Sequence, residues 1–224
     1  MPARVLVINP NSSASCTAGI ADALRPFDSE IVRFDVVGLA DGPPSVASWA
    51  DWSAVAGPLR RAVAGEKAAA YVIACVSDPG LDAAREATRR PVLGMMRCAV
   101  AAALARAERF GIIGFVEASQ ARQRRVLQAM GVEARLSGWE PLGLPMETLT
   151  DPEAPRARIA STARSLAAGG AEAIVLGCAG LAGHAAFAEE AAGVPVVEPC
   201  RAAGAMALLA VSGGARKEGA EAPV

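Results

Sequence analysis

AAAYVIAC (68–75) and AEAIVLGC (171–178) are apolar runs of equal length that each end on a cysteine, and they superpose without a gap, so that Tyr71 to Cys75 lies over Ile174 to Cys178. The pattern beyond each cysteine is repeated too. VSDPG (76–80) and AGLAG (179–183) lead into helix-forming stretches, and each stretch ends at a Pro-Val pair that opens another short apolar run, Pro91-Val92-Leu93 and Pro195-Val196-Val197. Short apolar runs of this kind, bounded by turn residues, read as buried strands of a parallel sheet. The chain therefore reads as an internal duplication, with a thiol at the same strand end in each half.

Working outward, Val5 to Ile8 reads as a first strand, Asn9-Pro10-Asn11-Ser12-Ser13 as a turn and helix cap, and Ala18 to Leu24 as a helix. Glu30 to Val37 reads as a strand and Trp52 to Ala64 as a helix. Asp78-Pro79 fits an N-cap with proline at the first position of a helix over Leu81 to Thr88. The second half repeats the rhythm: helix Cys98 to Glu108, strand Phe110 to Phe115, helix Glu117 to Met130, strand Gly131 to Arg135, loop Leu142 to Asp151, helix Ala154 to Ala168 and the strand Ala173 to Gly177. Strands alternating with helices predict an α/β fold of two pseudo-symmetric three-layer lobes with mainly parallel sheets. The expected division is 1–98 and 99–199, with a last helix over 200–211 packing back on the first lobe and a flexible tail at 212–224.

Composition narrows the function classes. With 224 residues, a net charge of −1 and four percent aromatic residues, the chain lacks the basic and stacking surfaces that nucleic acid demands. The one basic cluster, Arg122-Gln123-Arg124-Arg125, reads as the solvated face of a helix. MPARVLVINP runs straight into a strand, and no apolar run reaches the roughly 20 residues that cross a bilayer, so a cytoplasmic protein with no membrane partner is expected. Five cysteines without regular spacing read as free thiols. A single histidine, His184, and only two lysines, Lys67 and Lys217, leave little for histidine-rich zinc sites or a pyridoxal phosphate Schiff base. An enzyme built from this chain is expected to act without a cofactor.

Ligands of open parallel sheets settle beyond the carboxyl ends of the strands. Four loops qualify: Asn9 to Ser13, Cys75 to Gly80, Gly114 to Ser119 and Cys178 to Gly183. A lone cysteine there reads as a small buried side chain, and Cys16, Cys98 and Cys200 are taken as structural. The matched pair is different, because packing gives core cysteines no reason to recur at equivalent strand ends. One thiolate opposite one thiol is a base and an acid, able to remove a proton from a carbon beside a carbonyl and return one to the other face. The backbone amides of Val76, Ser77, Ala179 and Gly180 are candidates to stabilise the enolate. Asn11, Ser77 and Asp78 read equally as local capping chemistry or as site residues, and His184 as a packing residue.

VINPNSS (7–13), ACVSDPGLDAARE (74–86), RFGII (109–113) and IVLGCAG (174–180) resemble the corresponding segments of hydantoin racemases, within the cofactor-independent aspartate/glutamate/hydantoin racemase superfamily. The resemblance implies a site between the lobes, catalysis by Cys75 and Cys178, substrate contact by Asn11 and a homo-oligomer. It also places Phe115 and Glu117 against the substrate, in a loop where many hydantoin racemases carry paired threonines. Arylmalonate decarboxylases of the same superfamily keep only the second cysteine, so the presence of both here favours racemisation; VVEPC (196–200) departs from the family pattern. The substrate expected is a 5-substituted hydantoin or a related cyclic ureide such as allantoin. The alternatives are a racemase or isomerase of an open-chain dicarboxylate, whose cationic donors are scarce in the four loops, a non-catalytic binding protein, and a reversible disulfide.

Overall fold

The computed structural model describes residues 2–214. The elements run β1 (Ala3–Asn9), α1 (Ala14–Leu24), β2 (Val32–Gly38), α2 (Trp49–Ala54), α3 (Ala56–Gly65), β3 (Ala70–Ile73), α4 (Leu81–Glu86), β4 (Val92–Gly94) and α5 (Met95–Leu104). They continue with β5 (Phe110–Gly114), α6 (Ser119–Met130), β6 (Leu136–Pro141), α7 (Met146–Leu149), α8 (Arg156–Ala168), β7 (Ala173–Gly177), α9 (Ala185–Ala192), β8 (Val196–Val197) and α10 (Pro199–Gly214). All pairings are parallel and form two four-stranded sheets, ordered β2-β1-β3-β4 and β6-β5-β7-β8. The duplication extends to register. Tyr71 pairs with Val92 as Ile174 pairs with Val196, and the amides of Tyr71 and Ile174 donate to the carbonyls of Pro91 and Pro195, each at 2.9 Å.

Strand alternation sorts the apolar side chains into three layers. Val5, Val7 and Val72 of the first sheet and Ile112 and Val175 of the second face one shared core with α1, α5, α6 and α10. Leu6, Ile8, Tyr71 and Ile73 turn outward against α3 and α4, and Ile113, Ile174 and Leu176 outward against α8 and α9. Helices thus cover both faces of each sheet, as the α/β expectation required. Among the described residues no helix is long and apolar enough to cross a membrane. Residues 212–214 belong to α10, and 215–224 of the expected tail lie outside the described residues.

Three local expectations fail. The segment Gly131 to Arg135 is not a strand: Gly131 ends α6 in the left-handed region (φ 72°), Glu133–Arg135 forms a 3-10 turn, and the strand is β6. That edge strand hides from pattern reading because every residue in it is only partly buried. The helix expected from Trp52 starts at Trp49, because Ser48 and Asp51 form a capping box ahead of it, and it is interrupted at Val55, which ends α2 and precedes α3. Asp78 does not cap α4, which follows the left-handed Gly80 (φ 63°). Its carboxylate accepts from the amides of Met96 (2.8 Å) and Arg97 (3.2 Å) and from Arg97 Nη1 (2.9 Å), so it caps α5. Gly94 makes room, because a Cβ there would stand 2.4 Å from that carboxylate. Removing a buried acceptor leaves charged and amide donors unpaired. Asp78→Ala is expected to lower unfolding free energy by about 2–4 kcal/mol in urea titrations, with an unchanged slope.

Candidate active site

The carboxyl ends of β1, β3, β5 and β7 converge, and one cleft is lined by Asn11, Cys75, Ser77, Phe115, Arg122 and Cys178 among its wall residues. Val76 and Ala179 also line it. Gly180 lies just behind the wall, its amide donating toward the Cys178 sulfur. Glu117 does not reach the cleft. It is exposed where the chain turns into α6, its carbonyl accepting from the Gln120 amide. His184 is buried with Nε2 3.2 Å from the Leu149 carbonyl and borders a neighbouring cleft. Cys16, read as structural, lines the cysteine cleft as well.

The loop after β1 is fixed by its own side chains. Asn11 Oδ1 accepts from Asn9 Nδ2 (3.0 Å) and from the Ser13 amide (2.9 Å), and its Nδ2 donates to Cys16 Sγ (3.9 Å). Asn11 thus shapes the turn through its oxygen, and the residue is also part of the cleft wall. Cys75 Sγ lies 3.5 Å from Ser77 Oγ. Burial opposes ionisation of both thiols. Desolvation pushes Cys75 up to about 11, opposed by the Ser77 hydroxyl and the Arg122 charge and reinforced by Asp78. Desolvation raises Cys178 further, against the Gly180 amide.

The basic cluster is only half a solvated face. Arg124 and Arg125 are exposed, but Arg122 and Gln123 are each 1% exposed and line the cleft. Gln123 Nε2 donates to the carbonyls of Val76 and Gly177, both at 2.8 Å, and its Oε1 accepts from Trp139 Nε1 at 2.6 Å. Arg122 Nη2 donates to the carbonyls of Val46 (3.3 Å) and Ala47 (3.0 Å), and its Cζ stands 6.0 Å from the Trp49 ring centroid. The signal for their burial is present in the sequence: Ser119, Arg122, Gln123, Val126 and Leu127 are the buried residues of α6 and recur at helical spacing.

The family model for Asp/Glu/Hydantoin racemase matches residues 5–207. The chain belongs to this family. Among family members, the hydantoin racemase of Rhizobium meliloti is 35% identical over 216 residues, covering 94% of this chain and 90% of that one. The hydantoin racemase of Paenarthrobacter aurescens is 32% identical, covering 89% and 87%. The solved allantoin racemase from Klebsiella pneumoniae is 29% identical with a TM-score of 0.88, covering 95% of this chain and 89% of that chain.

Within this racemase fold Gln123 ties the two cysteine-bearing strand ends together. Gln123→Leu keeps the volume but leaves two carbonyls and an indole N–H without their partner, and a loss of about 2–4 kcal/mol is expected, read as a lower urea midpoint.

Proposed function

We propose that the protein is a cofactor-independent racemase of 5-substituted hydantoins or related cyclic ureides such as allantoin, with Cys75 and Cys178 as its acid/base pair. The observation that carries this reading is that the two thiols, set at register-equivalent strand ends, wall the same cleft. The names of the relatives support the substrate class.

In the forward step a thiolate takes the proton from the ring carbon. The C–H bond breaks, an S–H bond forms, and the electron pair moves onto the neighbouring carbonyl oxygen as an enolate. The opposite thiol then gives its proton to the other face, a new C–H bond forms, and the carbonyl is restored while that sulfur becomes the thiolate. Amides of Val76, Ser77 and Ala179 and the Asn11 carboxamide N–H are the donors assigned to the enolate oxygen and ring carbonyls, and Gly180 serves the Cys178 sulfur. Phe115 packs against the ring or its substituent. A thiolate with a raised pKa is scarce at neutral pH but a stronger base toward a carbon acid. Five free thiols suit a reducing, cytoplasmic setting.

Two measurements test the mechanism. With single-enantiomer 5-substituted hydantoins and allantoin in D2O, the wild type is expected to lose optical activity while deuterium enters the ring carbon; Cys75→Ala and Cys178→Ala are each expected to racemise at least about 1,000-fold more slowly. Persistence of racemisation in either variant would sink the two-thiol scheme. Because the free enzyme must ionise Cys75 against a pKa of about 11, kcat/KM is expected to rise about tenfold per pH unit between about pH 7 and pH 10. A flat profile over that range would mean that a thiolate is already formed at neutrality.

A further inference from the structure

Arg122 is the charged side chain in the wall of the cysteine cleft, and two of its nitrogens are idle. At 1% exposure, its Nε and Nη1 are buried without a hydrogen-bond partner among the described residues. The acidic residue that acts on it is Asp51, whose Oδ2 is already taken by the Ser48 and Ala47 amides and the Ser48 hydroxyl. Burying guanidinium donors unpaired costs several kcal/mol, and such a site persists where a ligand supplies the acceptor.

The rest of the wall agrees on the sign of that ligand. The carbonyls of Cys75, Val76, Ser77, Gly177 and Cys178 already accept from the Asp78 amide, Gln123, Trp52 Nε1, Gln123 again and the Leu181 amide. Ser119 Oγ donates to the Val116 carbonyl, and both polar ends of Gln123 are engaged. Among the polar side chains of the lining, Arg122 Nε and Nη1 have no partner, Asn11 Nδ2 has only the Cys16 sulfur at 3.9 Å, and Ser77 Oγ only the Cys75 sulfur at 3.5 Å; all are donors or can act as donors. A cleft with spare donors and one buried positive charge is complementary to an oxygen-rich anion.

We infer that Arg122 is a carboxylate receptor, and that the preferred substrates carry a carboxylate close to the carbon that exchanges its proton. The inference rests on the racemase reading and narrows its substrate class. It also removes an objection to acidic substrates: the four strand-end loops hold few cations, and the cation comes instead from helix α6. The carboxylate has two sources, an acidic substituent on a hydantoin ring or an open-chain amino acid.

The test compares 5-(carboxymethyl)hydantoin with its near-isosteric amide, 5-(carbamoylmethyl)hydantoin, and runs aspartate and glutamate alongside. Racemisation and heat of binding are measured for wild type, Arg122→Met and Arg122→Lys. The wild type is expected to favour acid over amide by at least about tenfold in kcat/KM, and that ratio to fall by about tenfold or more in Arg122→Met and by less in Arg122→Lys. The ratio within each enzyme is the readout, since freeing the Val46 and Ala47 carbonyls lowers both substrates together. Equal turnover of acid and amide by the wild type, or the same ratio in wild type and Arg122→Met, would overturn the inference. Exchange of aspartate or glutamate but of neither hydantoin, lost in Arg122→Met, assigns the carboxylate to an open-chain acid and keeps the receptor. If nothing is racemised, calorimetry decides. Tighter binding of acid than amide, abolished in Arg122→Met, leaves the receptor standing while the racemase reading falls, and equal binding overturns both.

Discussion

The carboxamide of Gln123 holds the carbonyls of Val76 and Gly177 on one nitrogen, at 2.8 Å each. One of those carbonyls comes just after Cys75 and the other just before Cys178, so a single side chain sets how the ends of two separate sheets stand to each other. Its orientation is fixed by the Trp139 indole, which only the amide oxygen can accept. Gly177 allows the approach: a Cβ there would meet Gln123 Nε2 at 3.1 Å and the Ile113 carbonyl at 2.6 Å. Neither sheet supplies this bridge; it comes from α6, the helix after the central strand β5 of the second sheet.

The halves match in topology and register, yet the site they enclose is unequal. Cys75 has a hydroxyl 3.5 Å away and a guanidinium that favours its ionisation, whereas Cys178 has a backbone amide and is held further up. In the first half the segment after the cysteine turns through a positive φ at Asp78, whose carboxylate is spent on capping α5. The second half carries a 3-10 turn, Ala179–His184, at that point. Duplication gave two equivalent strand ends, and the loops then diverged around them.

Much of this is legible in the sequence because it rests on local periodicity. Strand β7 has the bounds that its pattern predicts, since AIVLG is continuous, apolar and flanked by a turn, and the cysteine pair announces itself by repetition. The rest is hidden for physical reasons. Arg122 and Gln123 are polar, and polarity argues for solvent unless a partner is known; their partners are carbonyls 47 to 76 positions away in sequence. Only the spacing of Ser119, Arg122, Gln123, Val126 and Leu127 marks the buried stripe. Asp78 is ambiguous because two helix starts compete for it, one adjacent in sequence and one brought near by β4. The raised thiols are hidden for the same kind of reason, because desolvation belongs to the packed cleft and not to the local sequence.

The layer between the two sheets belongs to both of them. Val5, Val7 and Val72 share one continuous apolar cluster with Ile112 and Val175, filled from above by α1, α5 and α10. A fragment holding either sheet alone would present that apolar inner face to water. Each copy therefore relies on the other, and on the helices packed with them, to keep its inner face from water. The repeat that makes the sequence readable as two units is packed around one common apolar core.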